Sequence, residues 1–348
     1  MKRKRTIATM SGAHLLAPLC LCGAQTALKY LEALSTAIEC VRQAEDSECV
    51  HHMRVASRRL RSILPLFAVG LSRQACDRWR KQLRRLTRAL GEGRDTDVQS
   101  ACVQRFLDRE ARAQERPGVE RLRLRLQQRR HVLQESVLEA LERFVASQVT
   151  EEMEQTLTQL AKTSQTSGVD TPGHYVYRQT GKVMRDQLKA LQAYAPYVQQ
   201  PECSTALHAM RIAAKRLRYT MQAFAPLYPD ALEEPVHTVR TIQTLLGDIH
   251  DCDVWAHDLP QFLAAERQRT LVYFGQTEPF TPLIPGLLAL QHNRQQYRAQ
   301  RYHKFVTFWH QVQEQWVWER LQQTLMAPMK SAGQVPADAT ENAPVHGC

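Results

Sequence analysis

Two stretches of the chain carry the same pattern of histidine, cationic and apolar residues, and this internal repeat restricts the possible folds more than any other feature. The polar members of the first copy are His51, Arg54, Arg58 and Arg61, and those of the second are His208, Arg211, Lys215 and Arg218. A second motif follows each copy, because LGEGRDTDV over residues 90–98 returns as LGDIHDCDV over residues 246–254. Offsets of 157 and 156 residues, in the same order, predict a duplicated structural unit.

The spacing within each copy has the period of an α-helix. At ~100° per residue, the four polar residues of the first copy fall within ~80° of arc. The opposite side carries Met53, Ala56, Leu60 and Leu64 in the first copy, and Met210, Ala213, Leu217 and Met221 in the second. Each copy is therefore predicted to be a helix with one face in a core and one face of positive charge.

Helix-forming residues dominate the rest of the chain, so we predict an all-α fold of two tandem antiparallel helical bundles. The predicted segments are a flexible basic arm (1–18), a first bundle (19–162), a linker (163–173), a second bundle (174–326) and a disordered tail (327–348). The basic start and the apolar residues after it resemble a secretion signal. Pro18 and the absence of a small-residue cleavage site favour the arm instead.

Glycines and capping residues predict the helix ends. Ser72 is expected to cap a helix. Gly91 and Gly93 are expected to break that helix, and Asp95 or Thr96 to cap the one that follows. The further predicted boundaries are a helix end at 117–118, helices over 230–247 and 251–267, an irregular loop over 268–286 and a single final helix to residue 326.

Positive charge is concentrated in the first half. The chain has 46 Lys and Arg against 35 Asp and Glu, a net charge of +11, and residues 50–94 contain twelve of the cations but two acids. A second basic stripe in that segment consists of Lys81, Arg84, Arg85 and Arg88, whereas the matching positions of the second half hold His237, Arg240, Thr241 and Thr244. This surplus predicts a polyanionic partner. The first half is expected to bind anions more strongly.

The cysteines and the hydropathy pattern bear on the compartment. Nine cysteines form no C-x-x-C pair, which is typical of scattered reduced thiols in a cytosolic protein. Since no run of about 18 apolar residues occurs, we expect no membrane span and a cytoplasmic location.

The two repeated motifs, H-x-x-R-x-x-x-(R/K)-R-L-R and L-G-x-x-(R/H)-D-x-D-V, resemble those of the CHAD family, the conserved-histidine α-helical domain. The resemblance extends over roughly residues 19–326. It implies two bundles of about four helices each, related by pseudo-twofold symmetry, that bind inorganic polyphosphate through basic surface residues. His250 stands where the first copy has Arg94, and Ala209 replaces His52. Some members also carry a triphosphate-hydrolysing domain marked by Glu-x-Glu-x-Lys, which this sequence lacks, so a stand-alone binding module is expected.

A polymer of regularly spaced anions requires many cations on rigid elements, and arginine presents paired N–H donors to phosphate oxygens. The resemblance implies that both copies of the repeat contact polyphosphate, namely His51, Arg54, Arg58, Arg61, His208, Arg211, Lys215 and Arg218. The basic stripes add Lys81, Arg84, Arg85, Arg88, Arg94, Lys182, Arg185, Arg240, Arg298 and Arg301. The expected roles are polyphosphate storage, association with polyphosphate granules, or regulation of polyphosphate-metabolising enzymes.

Nucleic acid is the main alternative ligand, because phosphate contacts alone give tight but unspecific binding. Proteins that bind single strands usually add aromatic platforms, and Tyr219 is the one aromatic residue near the edge of the two stripes. Duplex recognition would require Asn or Gln on the same helix face, and neither stripe has one. Nucleic acid is therefore expected to be a weaker competitor.

A metal site is a further alternative. His51 and His52 are adjacent on a helix and point ~100° apart, so they cannot bind one ion together. The spacing of His250, Asp253 and His257 is closer to a ligand set, but the start of a capped helix explains these residues equally well. We expect no bound metal.

An enzyme is the third alternative. The sequence has no glycine-rich phosphate loop and no evident pair of catalytic carboxylates. Asp95, Asp97, Asp251 and Asp253 are interpreted as helix N-caps that also pair with neighbouring arginines. The expectation is a binding protein with neither catalytic activity nor a cofactor.

Overall fold

The computed structural model of the chain describes residues 3–43, 47–165 and 174–331. Within these ranges the chain forms ten α-helices and no β-strand, which confirms the predicted all-α fold. The helices of the first half are α1 (Arg3–Gln43), α2 (Ser47–Ile63), α3 (Arg73–Arg109), α4 (Arg116–Ala146) and α5 (Val149–Gln165). Those of the second half are α6 (His174–Gln192), α7 (Ser204–Phe224), α8 (Glu233–Phe274), α9 (Ile284–Glu314) and α10 (Val317–Ser331).

The helices of the two halves pack in the same order. α2 packs against α3 and α3 against α4, and α7, α8 and α9 repeat this arrangement. α1 packs against α5, as α6 does against α10. Each half therefore contributes five described helices, where about four were expected. The pseudo-twofold relation itself stays a prediction.

The hydrophobic core is shared between the halves. Its larger cluster contains Met53 and Leu60 of α2 together with Met210 and Leu217 of α7. A smaller cluster joins the distal ends of α3, α4, α8 and α9 around residues such as Trp255. Among the described residues both clusters cross the boundary between the two predicted bundles, so burial of apolar surface couples the halves.

The apolar faces predicted for the repeated helices are found in this core. All four apolar residues of the first copy are buried, as are three of the four in the second copy, where Ala213 is partly buried. The helical period therefore identified the buried side of α2 and α7. Their cationic sides are consequently left outside the core.

The predicted helix breaks at Gly91, Gly93 and Gly247 are wrong, because α3 and α8 continue through all three positions. Gly93 is buried against α4, where an added methyl carbon would lie 3.7 Å from the nearest atom. A glycine inside a helix costs ~1 kcal/mol relative to alanine. Packing of the buried residues on either side outweighs this cost, so Asp95 and Thr96 lie within α3 and cap no helix.

The cap predicted at Ser72 is confirmed, since its hydroxyl oxygen accepts a hydrogen bond from the backbone N–H of Ala75 at 3.1 Å. The helix expected to reach residues 117–118 ends earlier, at Arg109. The Pro-Gly pair instead lies in the first turn of α4. Proline is tolerated there because the first helical N–H groups have no partner within the helix.

The region after α8 is more ordered than expected. α8 extends to Phe274, and a 3-10 helix over Glu278–Leu283 occupies part of the predicted loop 268–286. The expected single final helix is divided into α9 and α10 at Trp316, which has a φ of 55°. A left-handed residue cannot continue an α-helix, so the chain changes direction there.

The sequence predicts a flexible arm over residues 1–18, a linker over residues 163–173 and a disordered tail over residues 327–348. α1 already begins at Arg3, so helical backbone covers most of the predicted arm over residues 1–18. α10 extends to Ser331. The rest of the predicted tail, together with most of the predicted linker, lies outside the described residues. Among the helices that are described, none is long and apolar enough to cross a membrane.

One pair of cysteines departs from the expectation of reduced thiols. Cys40 near the end of α1 and Cys49 in α2 form a disulfide, with their Cα atoms 5.6 Å apart. The expectation is therefore wrong for this pair, which connects α1 to the repeated helix α2.

Candidate anion-binding site

A groove lined by cations lies where α2, α3 and α7 meet. It encloses about 790 Å³, and Gln187 of α6 forms part of its wall. The cations that line it are Arg58, Arg61, Arg80, Lys81, Arg84, Lys215 and Arg216, and one acid, Asp77, lines it as well. We call this cavity the basic groove. It combines side chains from both copies of the repeat with the first turns of α3.

Contacts between helices hold the groove in place. Arg58 Nε donates a hydrogen bond of 2.9 Å to the Tyr219 hydroxyl, which connects α2 to α7. The hydroxyls of Ser57 and Thr87 lie 3.1 Å apart and connect α2 to α3. The guanidinium of Arg218 lies 5.0 Å from the centroid of the Tyr219 ring. Cations ordered in advance on packed helices lose less conformational entropy when a ligand binds.

The cations of the groove are close enough to alter one another's protonation. Burial lowers the pKa of Lys215 to about 8, and nearby guanidinium groups, of which Arg58 is the first, act in the same direction. Burial and then Arg58 also lower the pKa of Arg61. An anion in the groove would relieve this repulsion, so the electrostatic field favours a ligand of high negative charge.

A second group of cations lies beside the groove, before it on α2 and α7 and after it on α3, and these cations are partly neutralised. Arg54 lies 3.6 Å from Asp95, and Arg94 lies 3.8 Å from Glu48. Arg211 of α7 is close enough to Arg54 to lower the pKa of that guanidinium, although burial is the larger cause. This region therefore extends the positive surface of the groove with fewer unpaired charges.

The repeated histidines have different partners. His51 lies near Arg94, and burial followed by this guanidinium lowers the pKa of His51. His208 contacts His250, with their Nδ1 atoms 3.1 Å apart. Burial lowers the pKa of His208, and burial together with His208 lowers that of His250 to about 4. The uncharged imidazole of His250 thus stands where the first copy of the second motif has the guanidinium of Arg94.

Several predicted site residues lie away from the basic groove. Arg85 and Arg88 border a separate cavity of about 520 Å³ between α3 and α4, together with Arg143. Lys182 on α6 and Arg240 on α8 are exposed and do not line the groove. The stripe on α3 is thus divided between two cavities.

Three further predicted cations are held by other partners. Arg298 lies 2.5 Å from Asp253, and Arg301 lies 3.0 Å from Asp248. Arg185 donates a hydrogen bond of 3.5 Å to the backbone oxygen of Leu325, which lies inside α10. These three arginines do not line the basic groove, and their contacts connect helices, so their role in binding stays a prediction.

Three aspartates of the second motif form ion pairs that connect neighbouring helices. The prediction that the four aspartates of the motif cap helices is wrong, but the prediction that they pair with arginines is confirmed for three of them. Asp95 pairs with Arg54, Asp97 with Arg130 of α4 at 2.8 Å, and Asp253 with Arg298 of α9. The Asp97 and Asp253 pairs connect corresponding helices of the two halves.

The residues suggested as a metal site have other contacts. His250 faces His208, Asp253 pairs with Arg298, and His257 Nε2 lies 2.8 Å from Gln261 Nε2. In the part of the chain that the structure describes, no three His, Cys, Asp or Glu side chains are grouped so that they could hold a metal ion.

Two cations of the groove, Arg80 and Arg216, are not among the residues predicted from the sequence. Arg80 lies one turn before Arg84 and so continues the stripe on α3, a signal that helical spacing could have supplied. Arg216 falls at the edge of the cationic arc of the second copy, so helical spacing does not single it out. Both are exposed and line the groove.

A second cavity, between α1, α2, α7 and the start of α8, has a different character. It encloses about 340 Å³ and is lined by Arg59, Tyr30, Asp230 and Glu233, among others. Arg59, which corresponds to Arg216, lies with its guanidinium 5.5 Å from the centroid of the Tyr30 ring. One cation and two acids leave no positive surplus there. The start of α8 thus lacks the cations that α3 supplies to the basic groove.

Comparison with known proteins shows to which family this chain belongs. The model of the CHAD domain family matches residues 25–260, more than half of the chain. The chain belongs to the CHAD domain family. Residues 25–260 contain both copies of the repeat and the whole basic groove. The groove is therefore part of the CHAD domain.

Two relatives of this CHAD protein illustrate the similarity. An uncharacterized protein of Mycobacterium tuberculosis (strain CDC 1551 / Oshkosh) is 29% identical over 244 residues, which are 64% of this chain and 42% of that protein. The chain thus spans less than half the length of that relative. The crystal structure of the CHAD domain from the plant Ricinus communis matches 84% of this chain and 91% of its own, with a TM-score of 0.60 and 22% identity, and supports the fold.

Proposed function

We propose that this CHAD domain binds inorganic polyphosphate in the basic groove. The observation that carries the proposal is the collection of seven cations and one acid around a single cavity, on helices from both halves. Membership of a family associated with polyphosphate binding supports the same ligand. Arginine supplies most of these cations, and its planar fork of donors matches phosphate oxygens.

The extent of the positive surface favours a polymer over a single phosphate. At 1.5 Å per residue, Arg54 and Arg61 are separated by about 10 Å along α2. The stripe on α3 and the cations of α7 widen the surface further. A linear polyanion could contact several of these residues at once, and each additional phosphate held nearby would bind at high effective concentration.

Nucleic acid is the second candidate, since it offers the same backbone charge. No aromatic side chain is among the residues that line the groove, and the nearby Tyr219 is 7% exposed and bonded to Arg58. Stacking of bases therefore has no platform in this cavity. We infer that nucleic acid competes weakly, through its phosphates alone.

A competition assay tests the choice of ligand. Labelled polyphosphate bound to the full chain is displaced by unlabelled polyphosphate, single-stranded DNA, RNA and ATP at matched phosphate concentration. Polyphosphate is expected to displace the probe at the lowest concentration. Equal or better displacement by DNA or RNA would replace the proposal with nucleic-acid binding. Gel analysis of the recovered polyphosphate should show unchanged chain lengths, because we propose binding without hydrolysis.

Binding is expected to weaken steeply as salt is added. Each phosphate contact releases counterions, so the affinity depends on salt with a slope that grows with the number of contacts. Four contacts would lower the affinity by about 100-fold between 50 and 200 mM salt. Fluorescence anisotropy across this range measures the slope, and an affinity that hardly changes would contradict a site made of many cations.

Binding is also expected to take up protons. In the free protein Lys215 has a pKa of about 8, and a bound polyanion should raise this pKa by favouring the ammonium form. Affinity should then fall as the pH rises above about 8, because the free protein must gain a proton to bind. Burial lowers the pKa of His51 and of His208, so both should add proton uptake at lower pH.

Calorimetry in buffers with different ionisation enthalpies counts these protons. At pH 8.5 the Lys215→Arg variant keeps the positive charge but is expected to lose most of the uptake, since arginine stays protonated. If this variant and the natural chain take up equal numbers of protons, Lys215 is not the group involved.

The cellular role follows from the ligand. We propose storage of polyphosphate, association with its granules in the cytoplasm, or regulation of polyphosphate-metabolising enzymes. Imaging of a tagged chain in cells that form granules would test the association. A variant unable to bind polyphosphate in the groove should no longer be found on the granules.

A further inference from the structure

We propose that Lys215 is a modification site, at which the lysine amine accepts an acyl group from an acyl phosphate held in the basic groove. The proposal rests on anion binding by the groove, which is part of the proposed function. It adds a covalent step that would regulate the same site. The substrate class is a carboxylic–phosphoric anhydride, with acetyl phosphate as the simplest probe.

The position of Lys215 carries the inference. It lies on α7, is half-buried, and faces Arg54, Arg58 and Arg61 of α2 with Arg211 on its own helix. The first turns of α3 add Arg80, Lys81 and Arg84 to the same cavity, and α6 contributes the uncharged Gln187. Asp77 lines the groove too, but its ion pairs are with Arg73 and Arg80. Among the described residues no carboxylate lies within 4.0 Å of the Lys215 amine.

An amine in such surroundings loses its proton more readily than an ordinary lysine. Desolvation and neighbouring cations both disfavour the ammonium form, which is a known way to activate a lysine nucleophile. The pKa of Lys215 falls to about 8 from an ordinary value of 10.5. At pH 8 about half of the side chain is then neutral, against about 0.3% for an ordinary lysine.

The same cations would place the acyl donor. The phosphate end of an acyl phosphate carries the negative charge that Arg58, Arg61 and Arg84 would bind, and its carbonyl carbon would lie beside the amine. The amine nitrogen forms a bond to the carbonyl carbon, and the bond from that carbon to the phosphate oxygen breaks. The nitrogen releases a proton to the departing phosphate, so the products are an amide and hydrogen phosphate. No oxidant, reductant or metal is needed.

Acylation would remove the positive charge of Lys215 from the groove. The modified chain should therefore bind polyphosphate less tightly, and bound polyphosphate should protect the amine by occupying the cavity and favouring its protonated form. Ligand and modification would exclude each other. The fraction of Lys215 that is acylated would then control how much polyphosphate the groove binds.

The test is a rate measurement on the full chain. The protein is incubated with acetyl phosphate at pH 8, with and without polyphosphate, and acetylation at each lysine is followed by peptide mass spectrometry. Lys182 and Lys189 are the internal controls, because they are exposed on α6 and do not line the groove. We expect Lys215 to be acetylated at least tenfold faster than either control, and at least tenfold more slowly with polyphosphate bound.

A neutral acetyl ester separates donor binding from nucleophilicity. With this reagent the advantage of Lys215 over the controls should shrink, and an Arg61→Gln/Arg84→Gln variant should lower the rate for acetyl phosphate more than the rate for the ester. Acetylation of Lys215 no faster than that of Lys182 would overturn the proposal. A preference seen with the ester but not with acetyl phosphate would overturn the acyl phosphate as substrate.

The outcomes also separate this inference from the proposed function. If polyphosphate binds but Lys215 reacts no faster than the controls, the modification site is wrong and polyphosphate binding stands. If Lys215 reacts rapidly with acetyl phosphate but polyphosphate neither binds nor protects, the groove is a site for small phosphates and polyphosphate is the wrong ligand.

Discussion

Reversing the charges of Arg61 and Arg84 to glutamate is expected to weaken polyphosphate binding by about 100-fold or more without unfolding the protein. Both side chains line the basic groove, and within the described residues neither forms an ion pair with a carboxylate. A hydrogen bond to a charged group contributes ~1.5–3 kcal/mol, so two losses amount to at least a 100-fold change. Fluorescence anisotropy gives the affinity, and circular dichroism reports whether the helices remain.

The matched control lies on the same helix. The Arg85→Glu/Arg88→Glu variant makes the same change in net charge, but these residues border the cavity between α3 and α4. We expect its affinity to fall by about fivefold or less, through the long-range field alone. Equal weakening by the two variants would mean that net charge, and not the basic groove, determines binding.

Replacing Gly118 or Gly286 with alanine is expected to destabilise the fold by about 3 kcal/mol or more. An added methyl at Gly118 would overlap the carbonyl oxygen of Leu283, and one at Gly286 would overlap that of Glu115. Backbone atoms cannot move aside as a flexible side chain can, so the starts of α4 and α9 would have to separate. Overpacking typically costs ~1–3 kcal/mol, and we expect the upper end or more because the overlapping atoms belong to the backbone.

Urea unfolding of each variant measures the loss. Gly91→Ala is the matched control, because Gly91 lies inside α3 and no atom lies within 4 Å of an added methyl. There alanine should stabilise the fold by up to ~1 kcal/mol, through its higher helix propensity. If Gly118→Ala and Gly91→Ala change the stability alike, the close approach of α4 and α9 is not rigid.

These two glycines show where a sequence signal was misinterpreted. Pro117-Gly118 and Pro285-Gly286 are a further repeated dipeptide, and each lies in the first turn of a helix. The sequence predicts a helix end at the first pair and a loop at the second, because proline and glycine usually interrupt helices. Their actual requirement, the close approach of two backbones, depends on a partner some 170 residues away along the chain.

The sequence by itself determined the all-α class and the two faces of each repeated helix. The spacing of His51, Arg54 and Arg58 against Met53 and Leu60 is a local property of the helix, since the angle between side chains depends on residue number alone. For the same reason the second copy was found from the sequence, with its apolar side correctly assigned to the core. The family and the all-α class follow from motifs that remain recognisable wherever the helices lie.

Only the tertiary structure decided which faces meet. It joined Arg80 and Arg84 to the two repeated helices, and it directed Arg85 into another cavity, because α3 lies between α2 and α4. The tertiary structure also pairs Arg298 with Asp253, and Arg298 does not line the groove. Helical spacing cannot predict such outcomes, because burial of apolar surface in cores shared by both halves sets the contacts between distant helices.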